Sequence, residues 1–219
     1  MAEIRWDWIE RNADEIVGHT VDHLALVSAS MAIAIAVSVP VGVLVRGRRL
    51  PFAAATAVSG ALYTVPSLAM FAFLLAFFGI GFAPAVVALV LYSLLILIRN
   101  TVVGLEGVPR SVLEAARGMG LTPWQTLTRV ELPLALPAIM AGVRLAVVST
   151  VGIATIAVLI GAGGLGVLIY NDGVQRGLFL TPIVVGTVIA TAMAIALDLL
   201  LVAAERVLTP WQRARAGAR

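Results

Sequence analysis

Uncharged runs dominate the pattern of this chain. Leu24–Val45 holds 22 residues without a charge, and Leu50–Ile98 holds 49. About 20 apolar residues cross the hydrocarbon layer of a membrane as a helix, so the first run predicts one span and the second predicts two with a tight connection. The connection is expected at Gly79–Pro84, GIGFAP. Five spans are expected in all, at residues 24–45, 52–78, 84–103, 135–160 and 182–204. The second is over-long and contains Pro66, which predicts a kink or an unwound turn within Tyr63–Ser67. Ahead of the spans, residues 3–18 place Ile4, Trp8 and Ile16 on one side at roughly helical spacing, the pattern of a helix lying on a membrane surface. The chain therefore divides into a lead-in, 1–23, a transmembrane domain, 24–204, and a basic tail, 205–219.

The most polar interruption is Leu113–Pro133, LEAARGMGLTPWQTLTRVELP. It reads as two short helices joined at a glycine. Ser111 stands three residues before Glu114, a capping-box spacing. Thr122 stands three before Gln125 with Pro123 between them, a second helix start. Gly120 falls between the two, where a left-handed helix stop calls for a residue without a Cβ. Ala115 and Ala116 have almost no side chain, so a second protein can approach the first helix closely.

Composition turns this pattern into a class. The 219 residues are 61% hydrophobic and 12% charged, which describes a polytopic membrane protein rather than a soluble one. With no cysteine, neither a disulfide framework nor a thiolate metal site is available. All 15 basic residues are arginine, and no basic face on a soluble fold is present to bind nucleic acid. The start of the chain is acidic and lacks a basic segment before the apolar run, so no cleaved signal peptide is expected. Twelve arginines fall at or near the end of the spans that carries Arg46–Arg49, Leu113–Pro133 and the tail, and three, Arg5, Arg11 and Arg176, at the other. The positive-inside rule then predicts an amino terminus outside and a carboxyl terminus in the cytoplasm of a prokaryotic cell membrane.

Glu114, Ala115, Ala116, Gly120, Val130, Leu132 and Pro133 reproduce the pattern E-A-A, three residues, G, nine residues, an aliphatic residue, one residue, L-P. This resembles the EAA loop of ABC importer permeases, with Val130 where isoleucine is usual. Thr64–Gly81 and Ile153–Ile169 resemble the osmoprotectant branch of the binding-protein-dependent importers, and the likeness covers most of residues 20–205. The resemblance implies an all-α, five-span permease of the type I ABC importer fold, with Glu114, Ala115, Ala116, Gly120, Leu132 and Pro133 in a cytosolic coupling helix. It implies a transport subunit rather than an enzyme. The partners are then an ABC ATPase dimer that binds the ATP and Mg, a second permease copy or paralogue, and an extracytoplasmic substrate-binding protein. The chain needs no cofactor of its own. The solute class implied is a quaternary-ammonium osmoprotectant such as glycine betaine, carnitine or choline. The alternatives are another small solute, such as methionine, carried by the same architecture, and an ATP-independent channel or secondary transporter.

The remaining motifs reduce to simpler readings. Gly161, Gly163 and Gly166 match the dinucleotide fingerprint but follow a membrane span instead of a strand, so they are read as a sharp turn, with Leu165–Tyr170 a short re-entrant or interfacial segment. Glu15, His19 and His23 stand four apart, a spacing able to hold zinc, yet nothing completes a ligand set. They are read as exposed polar residues at an interface, with no metal. No catalytic constellation and no Walker A sequence can be assembled. Arg144 and Asp198 are charges inside spans, each about 10 Å from the cytosolic end of its helix, and they are expected to pair directly or through Asn100. Substrate-binding residues are not assigned. Tyr63, Phe71, Phe73, Phe77 and Tyr92 are aromatic candidates for the path, with lipid or packing contact as their ordinary role.

Overall fold

The structure, a computed structural model, describes residues 4–211. Arg213, Arg215 and Arg219 of the expected basic tail lie outside the described residues. The described chain is all α-helical. After a short α1 (Trp6–Arg11) come α2 (Ala13–Val45), α3 (Arg49–Thr64), α4 (Ser67–Phe78) and α5 (Phe82–Glu106). Two short helices follow, α6 (Arg110–Gly118) and α7 (Pro123–Thr126), then the long α8 (Leu132–Ala154) and α9 (Leu180–Leu208).

Four helical stretches among these are long and apolar enough to cross a membrane, Ala13–Val45, Phe82–Glu106, Pro123–Ile160 and Leu180–Leu208. The pair α3 and α4 makes a fifth if counted as one span, bent by 99°. The bend falls at Val65–Pro66. Proline disfavours helical backbone in the residue before it, and Val65 is extended at φ −64°, ψ 129°. The carbonyl freed there is not left bare: Tyr92 Oη donates to Val65 O at 2.6 Å, and the Tyr63 and Tyr92 rings meet edge to face.

The lead-in differs from its sequence reading. Asn12 separates a single turn and a half from a 33-residue helix, so the acidic stretch after Ala13 is continuous with the first span. At 1.5 Å per residue α2 is about 50 Å long, which exceeds the apolar layer and carries its polar first turns beyond it. Trp8 and Ile16 are buried within the chain, whereas Ile4 is exposed. Trp8 packs edge to face on Phe179, Arg5 lies over the same ring, and Arg5 N–H donates to Thr181 Oγ1, so α1 is fastened to the start of α9. On its outer side Asp7 accepts from Arg5 and Arg11, and the Arg5 hydrogen bond, with the positive charges of both, holds its carboxyl below the usual range.

The centre of the bundle is α5, which packs against α2, α3, α4 and α8. Close approach is possible where one helix offers no Cβ. A Cβ on Gly42 of α2 would stand 2.6 Å from Thr101 Cγ2 of α5, and one on Gly142 of α8 would stand 2.5 Å from Asn100 Cβ. Nearer the start of α5, Met31, Ser93 and Thr150 join α2, α5 and α8: Ser93 and Thr150 hydroxyls lie 3.3 Å apart, and both reach the Met31 sulfur. Phe71 and Tyr92 belong to this core, whereas Tyr63, Phe73 and Phe77 are exposed.

Beyond Ala154 the chain tightens into a 3-10 turn, Thr155–Ile160, and breaks at Gly161 with φ +72°. Gly81 N–H, in the turn between α4 and α5, donates to Ile160 O at 2.8 Å and closes that end. Residues Val167–Val174 then form a wide π-helical turn. Within it and just before it, Leu168 and Leu165 are fully buried, and the segment packs against α9. His23 is a second correction. It is completely buried, while Glu15 is exposed and His19 half-buried, so the three do not face one ligand. Among the described residues no group of three histidines and carboxylates is placed to hold a metal.

Gly142→Val tests the α5–α8 crossing. Overpacking there is expected to cost about 1–3 kcal/mol and to lower the melting temperature of the purified protein in detergent. Gly18→Ala in α2, where a Cβ would meet nothing within 4 Å, should not lower it. Equal melting of both variants would contradict the close-packing account.

Candidate functional site

The polar stretch between α5 and α8 forms a hairpin at the end of the bundle that carries Arg46–Arg49. It begins earlier than its sequence pattern suggests. Proline at the N-cap, Pro109, starts α6 two residues before Ser111, so Ser111 sits inside the first turn and no side chain caps this helix. The Ser111–Glu114 capping box is therefore absent. Its absence leaves the Glu114 carboxyl exposed, beside a cleft shared with Arg110 and Arg117.

The stop after α6 is built as the sequence implies. Gly120 has φ +78°, its N–H donates to Arg117 O, and Leu121 N–H donates to Ala116 O, the two bonds of a Schellman motif. The next helix has its capping box in full: Gln125 N–H donates to Thr122 Oγ1, and Thr122 N–H donates to Gln125 Oε1 at 2.9 Å. Of the paired alanines only Ala115 is exposed. Ala116 is 1% exposed and is packed within its own chain, which corrects the reading of both as outward-facing. Trp124 at 71% and Met119 at 72% exposure project from the hairpin instead.

The second helix does not end before the span. Residues Leu127–Glu131 run as a π-helical stretch directly into α8, so Pro123–Ile160 is one continuous rod. Pro133 supplies the reason. It has no N–H, and in an α-helix its ring would press on the carbonyl of Arg129. Widening the preceding turn relieves this, and Leu132 N–H reaches back to Leu127 O. Leu132 and Pro133, both half-buried, thus lie at the root of the rod.

A further tie was not read from the sequence. Arg46, at the end of α2, pairs with Glu131 at 2.7 Å, and the carboxylate side chain is only 14% exposed. Gly47 N–H donates to Glu106 Oε1 at 3.0 Å. The ends of α2 and α5 and the root of α8 are joined around a cleft of about 570 Å³ that Arg110 and Arg117 of α6 also line. The one signal available in the sequence was an acid placed just before an apolar span at the arginine-rich end.

Arg144 and Asp198 lie deeper, and the structure brings them together. Arg144 Nε donates to Asp198 Oδ1 at 2.7 Å and Nη2 to Oδ2 at 3.0 Å, a two-point bond from α8 to α9. Asn100 takes no part, because its amide donates to Ile96 O of its own helix. Elsewhere α9 is thinly packed, with burial confined to Thr181, Pro182, Gly186 and Ala190 near its start. In its second half the pair acts together with Met193, Ala194, Leu197 and Leu201, which are partly buried against the core.

Comparison with known proteins places this geometry. Residues 25–214 match the family described as binding-protein-dependent transport system inner membrane component. An osmoprotectant import permease protein of Salmonella typhimurium is 44% identical over 91% of this chain and 94% of its own. A choline transport system permease protein of Bacillus subtilis is 37% identical, covering 93% of each chain. A carnitine transport permease protein of Listeria monocytogenes is 39% identical over 93% of this chain and 92% of its own. Among solved structures, an inward-facing methionine ABC transporter superposes with a TM-score of 0.80 at 24% identity, covering 89% of this chain and 96% of that one. An amino acid ABC transporter gives 0.76 at 18% identity over 93% and 99%. These two likenesses are of fold.

Two ion pairs are open to test by substitution. Arg144→Leu leaves a carboxylate unpaired among apolar helices and should reduce the yield of folded protein, and Arg144→Asp with Asp198→Arg should recover part of it. Size-exclusion profiles decide, and an Arg144→Leu protein identical to wild type in yield and transport would dismiss the pair's importance. Glu131→Gln should cost on the order of 1–3 kcal/mol, the range for depriving a mostly buried charged group of its partner. A thermal melt that does not move would show the Arg46 tie to be idle.

Proposed function

This chain belongs to the binding-protein-dependent transport system inner membrane component family, and on that premise we propose that it imports quaternary-ammonium osmoprotectants such as glycine betaine, carnitine or choline. It is a multi-pass transmembrane permease subunit of an ABC importer, not an enzyme. ATP hydrolysis belongs to a separate ATPase subunit, and a substrate-binding protein is its other partner. The solute class is supported by the relatives, whose names specify osmoprotectant, choline and carnitine over nine-tenths of this chain.

The observation that carries the mechanism is the hairpin 110–126, exposed, fixed at its elbow by the Gly120 stop and the Thr122–Gln125 capping box, and continuous with α8 through Pro123–Ile160. In the proposed arrangement the hairpin faces the cytoplasm of a prokaryotic cell, the amino terminus lies outside, and the carboxyl terminus lies inside. Residues 1–23 are then the extracytoplasmic lead-in, 24–204 the permease domain, and 205–219 a cytosolic tail. Two permease chains, identical or paralogous, stand side by side above two ATPase subunits. Ala115 allows close approach, Glu114 offers a free carboxylate, and Trp124 and Met119 offer apolar contact. When the ATPases close on ATP, each hairpin is displaced. The continuous helical stretch transmits that displacement to α8, the Arg46–Glu131 pair extends it to α2, and the Arg144–Asp198 pair extends it to α9.

The test is uptake of radiolabelled glycine betaine by cells expressing the permease with its ATPase and binding protein. Gly120→Val forces a β-branched residue into left-handed backbone, strain of about 1–2 kcal/mol at the elbow. It is expected to cut uptake about tenfold while the protein still reaches the membrane. Trp124→Cys should be labelled by an impermeant thiol reagent only in inside-out vesicles. Labelling from the exterior alone would reverse the topology and defeat the proposal.

A further inference from the structure

The chain's irregular stretch between α8 and α9 hangs on one side chain that the transport reading does not use. His23, on α2, is fully buried and touches two other parts of the chain at once. Its Nε2 lies 3.1 Å from Val151 O of α8, and its Nδ1 lies 3.3 Å from Leu165 N of the glycine turn. A backbone amide only donates and a carbonyl only accepts. Nδ1 is therefore the acceptor and Nε2 carries the hydrogen, which assigns the neutral Nε2–H tautomer.

Both backbone groups lack their regular partners. In a continuing α-helix Val151 O would accept from Thr155 N–H, but the helix tightens at that point and Thr155 N–H goes to Gly152 O. Leu165 is completely buried and follows Gly163 and Gly164, whose φ values of +74° and +76° take the chain out of any helix. A Cβ on Gly164 would stand 2.9 Å from His23 Nδ1, so the turn is shaped to the ring. An imidazole is suited to this place because it offers a donor and an acceptor on opposite sides of a rigid plane.

We propose that His23 is a positioning residue for transport, clamping the turn 161–166 and the buried segment behind it to the crossing of α2 and α8. The proposal rests on the topology above, which puts this turn at the extracytoplasmic end, where a loaded binding protein delivers its solute. The clamp then fixes the shape of the mouth that the binding protein meets. Gly81 N–H on Ile160 O holds the start of the turn, and His23 holds its far side.

Three substitutions in the complete complex of permease, ATPase and binding protein separate the two contacts. Asn keeps an acceptor near the place of Nδ1, Gln keeps a donor near that of Nε2, and Leu keeps only volume. Hydrogen exchange of the Leu165 amide should stay slow in His23→Asn and rise about tenfold or more in His23→Gln and His23→Leu. The second readout is the concentration of glycine betaine-loaded binding protein that half-maximally stimulates ATP hydrolysis. It should rise severalfold in His23→Gln, return towards wild type in His23→Asn, and leave the maximal rate within about twofold. Equal Leu165 exchange in Asn and Gln variants, or unchanged half-saturation in His23→Gln, overturns the proposal. A wild-type complex that the binding protein fails to stimulate would count against the functional reading, and the Leu165 exchange would then judge the clamp alone.

Discussion

Inside an apolar layer a backbone amide or carbonyl has no water to turn to, so every departure from the helix must be met by a partner supplied from within the chain. The architecture here can be followed through those departures. At Val65–Pro66 the partner is a tyrosine hydroxyl from α5. At Ile160 it is the Gly81 amide, and at Val151 and Leu165 it is one histidine. At the root of α8 the chain makes its own adjustment, a π-helical turn that accommodates Pro133 without opening a gap. Apart from that turn, each of these irregularities is also a tie between separate elements.

Charge obeys the same constraint in a stronger form. Arg144 and Asp198 sit within long apolar stretches of their helices, and each is the other's partner through two hydrogen bonds. Arg46 and Glu131 meet nearer the end of the bundle, where the arginine is a quarter exposed. The hairpin carboxylate Glu114, by contrast, lies open beside arginines. Charges that hold the bundle together are each paired and no more than 34% exposed, and the charge offered to a partner stands open. The contrast gives the hairpin its character as a surface for docking on a rigid base.

Much of the fold was legible because membrane spans are written in local composition. The charge-free runs located the apolar helices, Pro66 located the break between α3 and α4, and Gly120 with Thr122, Pro123 and Gln125 located the elbow. Capping signals depend only on residues a few positions apart, and the Thr122–Gln125 box formed as spaced. The Ser111–Glu114 box did not, although its spacing was equally good, because Pro109 started the helix two residues earlier. Two adjacent signals competed, and the residue that restricts the backbone prevailed over one that offers a hydrogen bond.

The burial of Ala116 and of His23, the tie from Arg46 to Glu131, and the direct meeting of Arg144 with Asp198 belong to another order of information. The sequence by itself determined the helices, the elbow, the arginine-rich end and the family pattern, since each depends on neighbours along the chain. Only the tertiary structure decided which polar groups meet, because partners 54, 128 and 142 residues apart are brought into reach by helix packing alone. A histidine between an acidic lead-in and an apolar run looks like an interfacial residue until α8 and the glycine turn close over it.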